Sequence, residues 1–369
     1  MGIIGGAEQL PSCWMHLRAV LRMPGGETVT RDTRDGVWAE PWGTPDETTP
    51  ADCWALAGLV DAHAHLAREE LDFAPGDLRG AKQRAKHALE AGVGLIFDKG
   101  WMDLTAVRVI DELTASERPE IEAAGAIYSV EGGYHEGFAR SIGPGGISSA
   151  VSEAAVEGRG WVKLIGDWPR RGEGPRPNFS EDELAEAVAV AEANASKVAI
   201  HTMARDVPSM AVRAGVHSIE HGLFLSPEDL EMLGGRSGVW VPTVLRVEAV
   251  IRQLGAGSSG GRLLTEGLEN VTANLAHAME CGVHVLTGTD LVVGTHQVAL
   301  EAVRLSELGM TPQAVVDSVS GAGFRASGRV SGFDVGSPAN AVLFPEDPGL
   351  DPRALARPRH VIRMGRLVR

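Results

Sequence analysis

Short apolar runs alternate with amphipathic stretches from residue 58 onward, and this alternation restricts the available folds more than any other feature of the chain. Runs such as 93–98, 197–201 and 283–290 are typical of strands, and each is followed by a stretch with helical spacing. One helix has a clear start, because Ser180 and Glu183 have the spacing of a capping box. Eight strand–helix repeats predict a parallel α/β architecture, and they fit a closed (β/α)8 TIM-like barrel better than an open sheet.

Both ends of the chain break this pattern. Residues 1–57 and 330–369 carry strand-like segments separated by turns rich in proline and glycine. We expect the two ends to pair in a small composite β-sandwich, while residues 58–329 form the barrel. The length of 369 residues allows this arrangement, since α/β barrels routinely exceed the roughly 100–200 residues of a typical domain.

The composition excludes several classes of protein. With 34 Lys and Arg against 49 Asp and Glu, the net charge of −15 argues against a nucleic-acid or anionic-membrane surface. No run of roughly 18 apolar residues is present, so we expect no membrane span. The cysteines Cys13, Cys53 and Cys281 are scattered, and the N-terminus does not resemble a secretion signal. We therefore expect a cytoplasmic protein with a small-molecule substrate, and the sequence leaves open whether it forms a homo-oligomer.

Polar residues stand at the ends of several predicted strands. His63 and His65 are two residues apart at the end of the first run, so their side chains project to the same face. Taken alone, the pair is equally compatible with two exposed strand residues. His201, His221 and Asp290 end the fifth, sixth and eighth runs. Because strand ends converge on one face of a β/α barrel, we expect these side chains to meet there and bind metal.

Lys163 ends the fourth run among apolar residues. A lysine at this position can be a surface residue whose ammonium reaches solvent. If it instead points among the histidines, divalent cations would repel its ammonium, so it must lose its charge or change identity. Carbamylation by carbon dioxide would turn it into an anion able to bridge two metals.

This combination resembles the amidohydrolase superfamily. The strings "GLVDAHAHL", "HSIEHGLFL" and "LTGTD" are similar to its imidazolonepropionase and prolidase-like branch, and the resemblance covers essentially the whole chain. It implies two divalent metals, usually zinc, with a hydroxide between them and Asp290 as general base. The ligands it implies are His63, His65 and Asp290 for one ion, His201 and His221 for the other, and carbamylated Lys163 as the bridge.

The expected function is metal-dependent hydrolysis of a small-molecule amide or cyclic amide. Prolidase-like members often follow the fifth-strand histidine with Ala-Tyr, whereas this chain has Thr202-Met203, which counts against dipeptide hydrolysis. A mononuclear imidazolone-type hydrolase or deaminase, a dipeptidase and a lactonase remain open, as does a binding protein on a degenerate barrel. Deamination is disfavoured because Ala204 and Phe224 stand where deaminases of this superfamily carry glutamate.

Several loop residues are candidates for contact with the substrate. Tyr134 and His135 lie in "EGGYHEG", which resembles a Gly-Gly-His loop, and they are candidates for holding the substrate carbonyl. His135 is also the second candidate for the general base. Ordinary loop surface is the competing explanation for these and for the further candidates. Those are the tryptophans Trp101 and Trp168 as apolar walls, Arg205, Arg246 and Lys99 as partners of a substrate carboxylate, and His296.

Overall fold

A computed structural model describes residues 15–170 and 174–369 and shows a mixed α/β fold. Residues 1–14 of the predicted terminal domain, with Cys13, lie outside the described residues. The described N-terminal segment forms short strands at Leu17–Arg22 (β1), Thr28–Arg34 (β2), Val37–Ala39 (β3), Glu47–Thr48 (β4) and Trp54–Leu56 (β5).

The middle of the chain alternates strands with helices, as the apolar pattern predicts. Its first half contains Leu59–Ala64 (β6), Leu78–Glu90 (α1), Val93–Asp98 (β7), Thr105–Glu112 (α2), Glu120–Ala123 (β8), Ile127–Val130 (β9), Arg140–Ile142 (β10), Ile147–Glu157 (α3), Trp161–Ile165 (β11), Asp167–Arg170 (β12), Gly174–Pro177 (β13) and Glu181–Ala193 (α4). Its second half contains Lys197–Thr202 (β14), Val207–Arg213 (α5), Ser218–His221 (β15), Pro227–Gly234 (α6), Val239–Val241 (β16), Val244–Leu254 (α7), Ser259–Glu280 (α8), His284–Val285 (β17), Ala299–Glu307 (α9), Pro312–Ser318 (α10) and Gly321–Ser327 (α11). Within 15–170 and 174–369, no helix combines the length and apolar character needed to span a bilayer.

The C-terminal strands Ala341–Phe344 (β18), His360–Arg363 (β19) and Arg366–Leu367 (β20) join the N-terminal strands in one sheet. Its order is β20-β19-β18-β5-β1-β2-β3, with β4 beside β1, and β18 runs antiparallel to β5. Leu17, Trp38 and Leu343 are buried in its own apolar core. The two ends therefore pair as predicted, while the sandwich and the domain limits stay predictions.

The remaining parallel strands form two sheets. One has the order β6-β7-β8 and the other β10-β9-β11-β14-β15-β16-β17. Backbone hydrogen bonds connect the sheets at both ends: Ala123 and Arg159 exchange bonds of 3.0 and 2.7 Å, and the amide of Ala62 donates to the carbonyl of Thr287 at 2.8 Å. The pairing places the carboxyl ends of β6, β14 and β15 on the site side, but it does not by itself give one closed ring of strands.

Two local features show how the sequence sets these elements. The predicted capping box of α4 is present, since Ser180 Oγ accepts from the amide of Glu183 and the Glu183 carboxylate accepts from the amide of Ser180. The strand predicted over 283–290 is much shorter, because β17 covers only His284–Val285. Beyond it, Thr289 turns its amide and its hydroxyl onto the buried Asp61 carboxylate, at 3.1 and 2.6 Å, in place of a sheet partner.

Candidate metal and active site

The strand-end histidines and Asp290 lie together. His63 is near the end of β6, His65 follows that strand, and His201 and His221 lie at the ends of β14 and β15. His63, His65 and Asp290 each offer a ligand atom, and these atoms lie within 4.8 Å of one another. The structure therefore brings these three predicted ligands together.

The proton on His65 is fixed by its surroundings. Its Nδ1 lies 2.6 Å from the carbonyl oxygen of Gly100. Because a carbonyl only accepts, Nδ1 must donate, which leaves the Nε2 lone pair free. That Nε2 lies 3.4 Å from Oδ1 of Asp290, on the side where the ligand atoms converge.

His221 has the same property. His221 Nδ1 lies 2.6 Å from Oγ1 of Thr243, whose hydroxyl donates to the carbonyl of Pro242 at 2.8 Å. The threonine oxygen is therefore an acceptor, so His221 carries its proton on Nδ1 and presents Nε2. Nε2 faces Nδ1 of His201 at 2.9 Å. Two ring nitrogens directed at each other in this way can share a cation.

Lys163 lies inside this region and not on the surface. It is 2% exposed, and its Nζ has no hydrogen-bond partner among the described residues. Burial lowers the pKa of Lys163 to about 8, with the charge of Lys99 acting in the same direction and those of Glu220 and Asp290 opposing. The amine is therefore much easier to deprotonate than an exposed lysine.

Glu220 is a site residue that the sequence analysis missed. Its Oε2 lies 2.6 Å from Nδ1 of His63, and its Oε1 lies 3.0 Å from Nζ of Lys99. Both contacts are close but poorly aligned for hydrogen bonding, so they are charge contacts. Burial alone would raise the pKa of Glu220, but the charges of Lys99 and His63 hold it well below its usual range. The sequence feature that could have indicated Glu220 is a carboxylate inside the strand-like run "HSIEH".

Asp290 is ionised in the centre of this cluster. Burial opposes its charge, yet His63, the contact with His65 and the guanidinium of Arg246 hold its pKa well below the usual range. Arg246 Nε lies 3.7 Å from Oδ2 of Asp290, so this predicted residue does reach the site. Asp290 and His221 also adopt left-handed backbone conformations, with φ of +41° and +63°, which are strained for these residues and common at functional sites.

Arg205 and Lys99, the other cations predicted to receive a substrate carboxylate, each pair with a glutamate of the protein. Arg205 is about half exposed and pairs with Glu266 on the surface. Lys99 is fully buried against Glu220, so it is not available to receive a substrate carboxylate, contrary to the expectation from its loop position. His296 is exposed on the rim of a cavity of about 420 Å³ that also borders His65.

Aromatic rings surround the ligand cluster. Trp101 lies 5.8 Å from His65 between ring centroids, while Trp168 and Tyr134 lie 6.0 and 6.5 Å from His201. His135 packs against Trp168 at 4.6 Å. Burial raises the pKa of Tyr134 and lowers that of His135, so both side chains are neutral at pH 7 and can take part in hydrogen bonds without bringing charge.

Known proteins resemble this chain along most of its length. The sequence pattern that defines the amidohydrolase family matches residues 54–368. An uncharacterized protein of Mycobacterium tuberculosis (strain ATCC 25618 / H37Rv) is 30% identical over 323 residues, 85% of this chain and 85% of that protein. A solved Xaa-Pro dipeptidase with bound methionine in its active site has a TM-score of 0.80 at 21% identity, covering 95% of this chain and 98% of that one. A. niger ochratoxinase gives 0.79 at 17% identity, with 96% of both chains covered. At these identities the two solved structures are similar in fold alone.

Proposed function

The chain belongs to the amidohydrolase family. We propose that it catalyses a metal-dependent hydrolysis of a small-molecule amide or cyclic amide. The bond broken would be a C–N bond other than a standard peptide bond. One observation carries the proposal: the ligand atoms of His63, His65 and Asp290 converge within 4.8 Å. Neutral imidazole with its second nitrogen protonated and hydrogen-bonded is the form in which proteins present histidine to zinc. His65 and His221 are both held in that form.

The donor set fits two divalent ions. His63, His65 and Asp290 would hold one ion and His201 and His221 the other. Lys163 would bridge them after its neutral amine adds carbon dioxide and loses a proton. Its burial, its lowered pKa and the absence of a hydrogen-bond partner among the described residues support that role. Bound zinc would acidify a water molecule and polarise the scissile carbonyl.

The side chains around the cluster would position and exchange protons. The Asp290 carboxylate accepts a proton from the attacking water and delivers it to the leaving nitrogen as the C–N bond breaks. Tyr134 and His135, both neutral, would donate to the substrate carbonyl, and Arg246 would receive an anionic group. Trp101 and Trp168 form apolar walls, which favours a substrate with an apolar body.

We also infer that the two parallel sheets together make the predicted (β/α)8 barrel. The hydrogen bonds between Ala62 and Thr287, and between Ala123 and Arg159, support closure at both ends. In a closed barrel, the catalytic face is the one where the carboxyl ends of the strands converge. His201 and His221 stand at that end of β14 and β15.

Replacement of Asp290 by asparagine tests the function. Asparagine keeps the shape and one ligating oxygen but cannot take the proton, so kcat should fall by roughly 10²–10⁴-fold while zinc remains largely bound. The assay needs a panel of amides, N-acyl amino acids, lactams and lactones, followed by zinc analysis of both proteins. Asp111→Asn, at an exposed carboxylate, is the matched control and should be unchanged.

Three results would redirect the proposal. Near wild-type turnover by Asp290→Asn with its zinc in place would move the general base elsewhere, and His135 would be the next candidate. Hydrolysis of lactones or dipeptides with no activity on other amides would replace the substrate class while keeping the site. A single bound metal with Lys163 uninvolved would favour the mononuclear alternative.

A further inference from the structure

Three charged or ionisable side chains form a continuous buried row behind the ligand cluster. Lys99 directly follows β7, Glu220 lies in β15 and His63 lies in β6, so the three side chains come from distant parts of the sequence. The Lys99 and Glu220 side chains are 0% exposed, and that of His63 is 3% exposed. Lys99 Nζ lies 3.0 Å from Glu220 Oε1, and Glu220 Oε2 lies 2.6 Å from His63 Nδ1.

Glu220 is too deeply buried to be present without compensation. A carboxylate removed from water is strongly destabilising unless a cation or several donors accompany it. Lys99 supplies the cation, and its ammonium is also held 4.2 Å from the centroid of the Trp161 ring. The hydroxyl of Ser218 donates to the same Oε1 at 2.6 Å. Oε1 of Glu220 is thus bound by Lys99 and Ser218, and Oε2 faces Nδ1 of His63.

We propose that Lys99 and Glu220 are positioning residues that orient His63 toward the metal, an inference that rests on the proposed metal site. The carboxylate favours the His63 tautomer with its proton on Nδ1 and so leaves the Nε2 lone pair directed at the cluster, where Asp290 Oδ1 lies 3.6 Å away. Lys99 holds the Glu220 carboxylate from the opposite side, so that Oε2 stays directed at His63. Partners of this kind typically change metal affinity by about 10–100-fold when removed.

The alternative is that the row is only a structural ion pair. The terminal sheet contains a matched example, because His16 Nε2 lies 2.6 Å from Asp32 Oδ2 with both side chains buried. That pair is also backed by a cation, Arg18, at 2.7 Å. It lies in a different sheet from the predicted ligands and so provides a control for buried histidine–carboxylate contacts in general.

Charge alone and positioning predict opposite outcomes for one substitution. Lys99→Met removes a positive charge near the metal site, so simple electrostatics would tighten zinc binding. Positioning predicts the reverse, because Glu220 without its cation would turn away from His63 and no longer hold the ring. Lys99→Arg keeps the cation and should restore binding in either case.

The experiment measures zinc dissociation constants of the full chain by competition with a chromogenic chelator. We expect Lys99→Met and Glu220→Gln to weaken zinc by about 10–100-fold, Lys99→Arg to remain near wild type, and Asp32→Asn to lose thermal stability without losing zinc affinity. Unchanged or tighter zinc binding by Lys99→Met overturns the proposal and leaves the proposed function intact. Failure of the wild type to bind zinc overturns both.

The wild-type part of a second measurement does not depend on how well the Lys99 and Glu220 variants fold. Nitrogen NMR of the histidine-labelled, metal-free wild type reports which ring nitrogen of His63 carries the proton, with His63→Gln providing the assignment. We expect Nδ1 to be protonated in the wild type and this preference to weaken in Glu220→Gln. A wild-type His63 protonated on Nε2 would overturn the proposal by itself, and a merely structural pair predicts no change in Glu220→Gln.

Discussion

Asp167 should make the stability of the protein depend on pH, and asparagine should remove that dependence. Asp167 is 1% exposed and is the first residue of β12. Its Oδ2 accepts from the amides of Met203 and Ala204 at 2.9 and 3.0 Å, while Oδ1 is buried without a partner among the described residues. Burial raises the pKa of Asp167 from 3.8 to about 7, although the two amide hydrogen bonds act in the opposite direction.

The direction and size of the effect follow from this pKa. The folded protein binds the Asp167 proton more tightly than the unfolded chain does, so the free energy of unfolding is greatest when the carboxyl is protonated. It should fall as the pH rises from about 4 to about 7. The difference of about three pKa units at 1.36 kcal/mol each gives ~4 kcal/mol as an upper figure. The buried carboxylate is therefore a liability above neutral pH.

Asp167→Asn keeps an oxygen for the two amides and replaces the unpartnered Oδ1 with a neutral group. We expect the urea midpoint of the variant to exceed that of the wild type by clearly more at pH 8 than at pH 5. Asp111→Asn, which changes an exposed carboxylate, should show no such pH-dependent difference. An Asp167→Asn effect of equal size at both pH values would refute the reasoning, since it would not come from ionisation.

Two further predictions concern the site. Lys163→Ala should lose zinc and activity, and short carboxylic acids such as acetate or propionate should partly restore both; a Lys163→Ala protein with full zinc content and turnover would exclude the bridge. Arg246→Met should raise KM about tenfold or more for a substrate bearing a carboxylate while changing kcat less, whereas Arg205→Met, at the exposed pair with Glu266, should have little effect. Equal increases in KM for the two arginine substitutions would mean that the position of Arg246 beside Asp290 gives it no special role in substrate binding.

The positions of the candidate ligands could be predicted from the sequence because they depend on local order. His63 and His65 share a face through the two-residue repeat of a strand, and parallel strands bring their carboxyl ends together. His201 and His221 then follow from the alternation of strands and helices. These predictions needed no knowledge of which side chains touch.

The partners of those ligands depend on tertiary contacts that no local pattern records. Glu220 contacts Lys99, 121 positions earlier, only because β6, β7 and β15 place their side chains in one interior. Arg205 was expected at the catalytic face, but Glu266 in α8 holds it on the surface. The strand predicted over 283–290 covers only His284–Val285, and beyond it Thr289 binds the buried carboxylate of Asp61, a contact between distant parts of the chain.

Elemental analysis of the purified protein tests whether the strand-end cluster holds metal. Chain produced with zinc in the medium and freed of loosely bound ions should retain two zinc ions, and His63→Ala combined with His65→Ala should lose at least one of them. His16→Ala, which removes a histidine from the terminal sheet, should keep the wild-type content. A wild-type protein that holds no divalent metal, or a double variant that holds as much as wild type, would show that the strand-end cluster is not the metal site.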